Sequence, residues 1–360
     1  MLKVLVVDDT IVYRKIVGDV LKAIPGVEVV GTANNGKIAL SKINTLKPDL
    51  ITLDIEMPEM SGIEVLQELH RHPSPPTVIM LSTLTREGSE MTIKALELGA
   101  FDFVPKPDSG TMADNMLKVK QAIEPIVKAL KRQKTGLNLR HRIAPIKRPD
   151  PKHPKPTGTK VHPPRIKTKS EIVGIGISTG GPNALTRMIP MLPGNFKAPI
   201  LIVQHMPPMF TASLANSLNN KSQLDIKEAE DGDLIVPGRV LIAPGGRQMK
   251  IVAGQDGISR KIKITDDPPE NSCKPSVDYL FRSIAQHYVG RATGVIMTGM
   301  GSDGSKGLAQ MKRNGSHVIA QDEASCTVFG MLKAPTESGI VDVIAPLDKI
   351  ADEIIKTVIS

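Results

Sequence analysis

The sequence predicts an α/β chain of two doubly wound, mostly parallel domains. Three observations predict it. Short apolar strands alternate with amphipathic helices through residues 1–125; a second alternating series begins at Ile172; and the stretch between them holds few apolar residues. Strands alternating with helices build parallel sheets. In such sheets the ligand site lies at the carboxyl ends of the strands. A chain of 360 residues is long enough for two cores.

In the first domain, strand Leu2 to Val7 ends in Asp8-Asp9 and is followed by a helix from Ile11 to Ala23. Strand Val27 to Thr32 and helix Gly36 to Thr45 come next. Strand Leu50 to Leu53 ends in Asp54, with Met57-Pro58 and Gly62 shaping the loop after it. Helix 63–71, strand Thr77 to Leu81 ending in Ser82, helix 88–98 and strand Phe101 to Val104 lead to Lys106-Pro107. Taken singly, an acid at a strand end is an ordinary helix cap or solvated loop residue. Together, Asp8, Asp9 and Asp54 repel one another unless a hard cation sits among them. Mg²⁺ suits oxygen ligands and would offset charge on a phosphoryl group. Lys106 adds a counter-charge and Ser82 a hydroxyl.

This ordered set resembles the receiver domain of bacterial response regulators over essentially all of residues 1–125. The resemblance implies a flavodoxin-like (βα)5 fold with Asp54 as phosphoacceptor. It further implies that Asp8, Asp9, Asp54 and the backbone carbonyl of Glu56 hold Mg²⁺, and that Ser82 and Lys106 sense the phosphate. Phe103 stands where receivers keep an aromatic switch.

Residues 126–169 read as a linker, although Ile126 to Arg132 can finish the preceding helix. Residues 133–169 hold eleven Lys/Arg against the single Asp150, whereas the whole chain carries a net charge of only +9. The basic excess therefore belongs to one Pro- and Lys-rich segment and not to a folded face. Such composition cannot bury enough surface to fold, and its prolines stiffen it. A solvated tether is the plain reading; contact with an acidic surface is the other. Tryptophan is absent and aromatics are few, so base-stacking platforms, and with them a nucleic-acid partner, are not expected. Cys273 and Cys326 make no disulfide framework and read as buried small hydrophobes. With no N-terminal signal region and no long apolar span, a cytoplasmic location is expected, with membranes met only through partners.

The second domain, residues 170–360, opens on the run Ile172 to Ile177 and the turn Ser178-Thr179-Gly180-Gly181 before an amphipathic helix. Gly176 to Gly180 fits G-x-S-x-G, the sharp turn that lifts a serine hydroxyl above a parallel sheet. A dinucleotide fingerprint starting at Gly174 is the rival. Its third glycine is replaced by Thr179, and the next strand, Pro199 to Val203, ends in Gln204-His205 without a ribose-binding acid. Ile226 to Glu230 reads as a strand. Val240 to Ala243 and Met249 to Val252 flank Pro244-Gly245-Gly246, with Ile262 to Thr265 following, so hairpins are expected there. A helix from Val277 to His287 precedes the apolar strand Ala292 to Met297, which ends in Thr298-Gly299-Met300-Gly301-Ser302-Asp303-Gly304. Helix Gly307 to Asn314, strand His317 to Gln321 and helix Ile350 to Ile359 complete the series.

Three parallel strands thus end near Ser178, His205 and Asp303. A serine, a histidine and a carboxylate meeting there can act as nucleophile, base and orienting group. The order Ser, His, Asp differs from that of α/β-hydrolases, so the site is a separate solution. His205 is the histidine placed directly after a strand on the serine's side; a satisfied structural histidine is the alternative. The glycine-rich turn Gly299 to Gly304 is either a simple tight turn or a source of backbone N–H groups for an oxyanion.

The segments GIGISTGG, QHMPP, AEDGD, PSVDYLF, TGMGSDG and QDEASCTVFGMLKAP resemble the chemotaxis protein-glutamate methylesterases, the CheB family. With the N-terminal receiver, the resemblance covers the chain apart from the linker. It implies a Rossmann-like, mostly parallel α/β esterase domain in which Ser178 is the nucleophile, His205 the base and Asp303 the orienter. Thr179 and the backbone of Met300 would bind the oxyanion, and no cofactor would serve the esterase. Ile177 before the serine and Leu332 after Gly330-Met331 depart from the family pattern without touching the chemistry. The implied function is a phosphorylation-activated hydrolysis of glutamate γ-methyl esters, and deamidation of glutamines, on chemoreceptor cytoplasmic helices. A chemotaxis histidine kinase would be the phosphodonor. The rivals are a receiver-regulated binding module without catalysis and a receiver joined to a dinucleotide-binding domain.

Overall fold

A computed structural model describes residues 1–140 and 169–358. The first domain runs β1 (Leu2–Val7), α1 (Ile11–Lys22), β2 (Val27–Ala33), α2 (Gly36–Leu46), β3 (Leu50–Asp54), α3 (Gly62–Leu69), β4 (Thr77–Ser82), α4 (Arg86–Glu97), β5 (Asp102–Pro105) and α5 (Met112–Arg140). Its strands pair in parallel in the order β2-β1-β3-β4-β5. All five residues of β3 are buried, as expected for a central strand covered by helices on both faces. In the β1–β3 register Val7 lies opposite Leu53, so Asp8 and Asp54 emerge side by side.

Helix α5 continues through Ile126 to Arg132, the stretch the sequence allowed as its end, and on to Arg140. Ile126, Val127 and Leu130 explain the extension. They lie on one helical face and pack into the core formed by β1, α1 and β4. Pro125 is carried within the helix. The basic segment at 141–168 lies outside the described residues.

The second domain runs β6 (Ile172–Ile177), α6 (Gly181–Met188), β7 (Ile200–Gln204), α7 (Phe210–Asn219), β8 (Asp225–Glu228), β9 (Arg239–Ile242), β10 (Gln248–Ala253), β11 (Arg260–Thr265), α8 (Val277–His287), β12 (Ala292–Ile296), α9 (Ser305–Arg313), β13 (His317–Gln321), α10 (Lys333–Glu337), β14 (Val343–Ala345) and α11 (Leu347–Val358). Seven parallel strands form one sheet in the order β14-β13-β12-β6-β7-β9-β8. The chain proceeds from β6 to one side through β7 and returns on the other through β12. The strand order therefore reverses at β6, the place where doubly wound sheets open a crevice at their carboxyl edge.

One expectation is corrected. Pro244-Gly245-Gly246 does not join a hairpin, because β9 pairs in parallel with β7 and β8 in the main sheet. The antiparallel hairpin is β10 with β11. A Cβ on Gly245 would come within 2.3 Å of the Pro207 backbone, so this glycine serves a close approach to the segment after β7.

Candidate active site

In the first domain, a single ammonium group sits between two carboxylates. Lys106 Nζ lies 2.7 Å from Asp8 Oδ2 and 2.7 Å from Asp54 Oδ2. Asp8 and Asp54 are buried, and oxygens of Asp8, Asp9 and Asp54 all lie within 4.8 Å of one another. Burial pushes Asp54 up to about 7; the Asp8 and Asp9 charges add to this and Lys106 opposes it. Burial likewise raises Asp8 against the pull of Lys106. Glu56 and Asp9 line the cleft above, with Met57 and Glu87. The donor set, hard oxygens with surplus negative charge, fits Mg²⁺.

Ser82 is buried and its hydroxyl points into α4. It contacts the Gly88 and Thr83 carbonyls at 3.2 Å and accepts a 2.6 Å bond from Thr92 Oγ1. Thr92 carried no signal in the sequence, since its partner becomes visible only once α4 lies against the end of β4.

In the second domain the three expected residues lie in the segments that follow the adjacent strands β6, β7 and β12: Ser178 and His205 directly after β6 and β7, Asp303 in the turn between β12 and α9. Ser178 follows β6, with its N–H bonded to Thr298 O (2.9 Å) and its carbonyl receiving Gln204 Nε2 (3.0 Å). Gly180 has φ +75°, and a Cβ there would lie 2.2 Å from Thr327 Oγ1; the turn holding the serine thus requires glycine. A Cβ on Gly299 would fall 2.7 Å from Ser178 Cβ, so the two glycine-rich turns abut directly.

Asp303 is buried and holds the imidazole of His205 through a 2.8 Å contact between Oδ2 and Nε2. It also caps α8. Oδ2 accepts from Val277 N (2.7 Å), and Oδ1 accepts from Asp278 N (3.2 Å), Ser276 Oγ (2.9 Å), Asn271 Nδ2 (2.8 Å) and Gly304 N (3.0 Å). The positive end of a helix and these donors favour the ionised form. Burial works against the charge, but the His205 bond and the surrounding donors win and hold Asp303 down at about 2. Burial alone would depress His205; the Asp303 bond, helped by Cys273, instead raises it to about 9.

Asp303 occupies Nε2, which leaves Nδ1 as the nitrogen available to a nucleophile. Nδ1 faces Cys273 Sγ at 3.8 Å. The Ser178 hydroxyl is partly exposed and has no hydrogen-bond partner among the described residues. Thr179 is buried, with its carbonyl accepting from Thr298 Oγ1 at 2.9 Å. The N–H of Met300 has no partner among the described residues and can serve an incoming oxygen. Asn271, Ser276 and Cys273 were missed in the sequence. Asn271 and Cys273 belong to one turn more than 60 positions after His205, and no spacing links them to it.

The two domains meet at these sites. Phe103 of β5 stacks on Phe210, the first residue of α7 (4.5 Å between centroids). Ser89 Oγ of α4 lies 2.7 Å from Ser213 Oγ of α7, and Glu97 binds both Ser217 and Lys221. Asn183 Nδ2 of α6 donates to Ala100 O at 3.2 Å. Asp102 is driven up to about 6 by burial, eased by hydrogen bonds from Phe103 N–H and the Thr179 side chain. The α4–β5 face thus lies on α6 and α7, the helices that leave Ser178 and His205.

Comparisons with known proteins agree with this architecture. The profile of the response regulator receiver domain matches residues 4–117, and that of CheB methylesterase matches residues 173–354. A protein-glutamate methylesterase/protein-glutamine glutaminase of Desulfotalea psychrophila is 58% identical over 99% of this chain and 98% of its own. One from Bacillus subtilis is 43% identical over 98% of both chains. The crystal structure of the Thermotoga maritima CheB methylesterase catalytic domain matches with a TM-score of 0.51 and 44% identity, covering 52% of this chain and 99% of that one. The chain belongs to the CheB methylesterase family, in the form that joins the esterase domain to an N-terminal response regulator receiver domain.

Proposed function

We propose that the chain is a serine esterase, activated by phosphorylation at Asp54, that hydrolyses glutamate γ-methyl esters on chemoreceptor cytoplasmic helices and deamidates receptor glutamines. The observation that carries the chemistry is the Asp303–His205 pair at strand ends flanking Ser178. His205 Nδ1 takes the Ser178 proton as Oγ attacks the ester carbonyl. The oxyanion receives the Met300 N–H and the Thr179 hydroxyl. When the C–O bond breaks, the imidazolium returns the proton and methanol leaves. Water, deprotonated by the same nitrogen, then cleaves the acyl-enzyme and frees the glutamate. An amide passes through the same intermediate and releases ammonia.

In the receiver, Asp8, Asp9, Asp54 and the Glu56 carbonyl would hold Mg²⁺, which supplies charge neutralisation for the phosphoryl group. Lys106 pairs with the phosphorylated residue, Ser82 turns from α4 towards the phosphate, and Phe103 follows it. The phosphodonor is a chemotaxis histidine kinase. Receptors also bring the protein to the membrane; no helix among the described residues is long and apolar enough to cross one.

The test is methanol release from methylated receptor membranes, with and without a small-molecule phosphodonor. Wild type should be accelerated by the donor, and Ser178→Ala should release none. Turnover persisting in Ser178→Ala would remove the nucleophile from this scheme.

A further inference from the structure

Cys273 is held beside the catalytic imidazole by a rigid turn. Glu270 and Cys273 exchange both backbone hydrogen bonds (3.0 and 2.8 Å), and the residues between them, Asn271 and Ser272, have φ +51° and +62°. Two successive positive φ values are the signature of a type I′ turn, whose ends are fixed relative to each other. Gln248 Nε2 further ties down the Cys273 carbonyl at 3.3 Å. From this support the thiol reaches 3.8 Å from His205 Nδ1 and 3.4 Å from the Asn271 carbonyl. Donor atoms of His205, Cys273 and Asp303 all lie within 4.8 Å of one another.

These positions match the demands of a thiophilic metal. Tetrahedral Zn²⁺, with bonds of about 2.3 Å to sulfur and about 2.0 Å to nitrogen, requires the two donors to be roughly 3.6 Å apart. The second feature is on the far side of the ring. Asp303 binds Nε2, so it stands where metal-binding histidines usually carry a carboxylate that fixes the tautomer and raises ligand basicity. A thiolate with an imidazole favours Zn²⁺ over the Mg²⁺ that suits the receiver's oxygens.

We propose that Cys273 Sγ and His205 Nδ1 form an inhibitory site for a thiophilic divalent cation, which silences the esterase by occupying the nitrogen that receives the Ser178 proton. The inhibition rests on the reading of His205 as the base; the binding does not. On coordination the Cys273 thiol and, where His205 is an imidazolium, its Nδ1–H each release a proton to solvent; the Nδ1 lone pair so freed goes to the metal, and Nε2 keeps its proton in the bond to Asp303. Water fills the other positions. A substrate can then enter, but Ser178 has no acceptor.

The experiment uses the full chain with saturating Mg²⁺, so that the receiver's carboxylates do not compete. Methanol release is titrated with Zn²⁺, and Co²⁺ binding is followed by its thiolate charge-transfer absorption, a readout independent of turnover. Wild type should show the cobalt band and an inhibition that a chelator reverses. Cys273→Ser and Cys273→Ala should lose the band and need at least about tenfold more Zn²⁺ for half-inhibition. Cys326→Ser should behave as wild type. Absence of the cobalt band in wild type, or equal Zn²⁺ sensitivity in the Cys273 variants, overturns the site. Undiminished turnover with the band fully developed overturns the inhibition. A metal-free wild type that releases no methanol sinks the esterase reading instead, and the cobalt band then decides the site alone.

Discussion

Phe103 of the receiver stacks on Phe210 of the esterase domain, with ring planes 23° apart. Phe103 lies on the strand that leads to Lys106, and Phe210 opens the helix that follows His205. A movement at Asp54 that displaces Phe103 would therefore act on the helix that follows His205. Asp102 beside it engages Thr179, the side chain expected to meet the oxyanion. If Thr179 serves the oxyanion as proposed, a docked receiver engages a group that the esterase needs.

Truncating the stack should loosen the docked form. An aromatic pair of this kind is worth about 0.5–1.5 kcal/mol beyond its buried area. Phe103→Ala should accordingly raise methanol release by the unphosphorylated full chain about 3- to 10-fold and shrink the response to a phosphodonor. Phe210 is fully buried between the esterase core and Phe103, so its truncation would confound docking with folding. An unchanged basal rate in Phe103→Ala would show that the stack does not restrain the enzyme.

The strand ends were legible because a buried parallel strand is a continuous apolar run that stops abruptly. Ser178, His205, Asp54 and Ser82 each mark such a stop. The glycine turn at Gly180 was legible too, since its chemistry is local. What stayed hidden depends on packing between distant segments. Gly245 reads as a hairpin turn but is there to approach Pro207. Asn271 and Ser276 hold Asp303 from a loop with no periodic signal, and Phe103 meets Phe210 across more than 100 positions. Cys273 and Cys326, read as buried small hydrophobes, are both only partly buried, and Cys273 stands against His205 Nδ1 because the Asn271-Ser272 turn places it there.

With His205 as the proposed base, the Asp303–His205 pair should set the pH dependence of the esterase. With His205 raised to about 9, the ring is mostly protonated at neutral pH and cannot accept the serine proton. kcat/KM should therefore climb with pH towards about 9. Asp303→Asn removes the anion that sustains the imidazolium while burial still disfavours it. Its acid limb should move down by more than about one pH unit, and the plateau should fall by about 10³- to 10⁴-fold as the ring loses its orientation. A slowed variant whose limb stays at the wild-type pH would separate Asp303 from the titration.

At Asp54, the proposed phosphoacceptor, the sign is opposite. A carboxyl raised to about 7 in the fold and ordinary when unfolded costs stability as pH rises from about 4 to about 7, because the unfolded chain releases that proton first. Without divalent cations, Asp54→Asn should be more stable than wild type at pH 8 by roughly 1–3 kcal/mol, read as a higher melting temperature, with little difference at pH 4. Lys106 loses one of its two partners in this variant, which limits the gain. The same protein should take no label from a phosphodonor while retaining basal esterase activity. Equal melting temperatures at both pH values would mean that Asp54 is not the strained group.

Separation of the domains can be tested by preventing it. Ser89 and Ser213 meet across the contact with hydroxyl oxygens 2.7 Å apart, both side chains buried. Replacing each with cysteine puts two sulfurs where the oxygens stand, in reach of the roughly 2.05 Å bond of a disulfide. The pair joins α4 to α7, the helix that follows His205, so the bond would hold the receiver over the esterase without altering Ser178, His205 or Asp54. Oxidised Ser89→Cys/Ser213→Cys protein should still accept a phosphoryl group at Asp54, yet show no acceleration of methanol release. A reductant should restore the response, which separates the lock from damage by substitution. Cross-linked protein that responds to the phosphodonor as wild type does would mean that activation proceeds with the α4–α7 contact intact. In that case the signal must reach the active site by a smaller shift, through Phe103 or Asp102 alone.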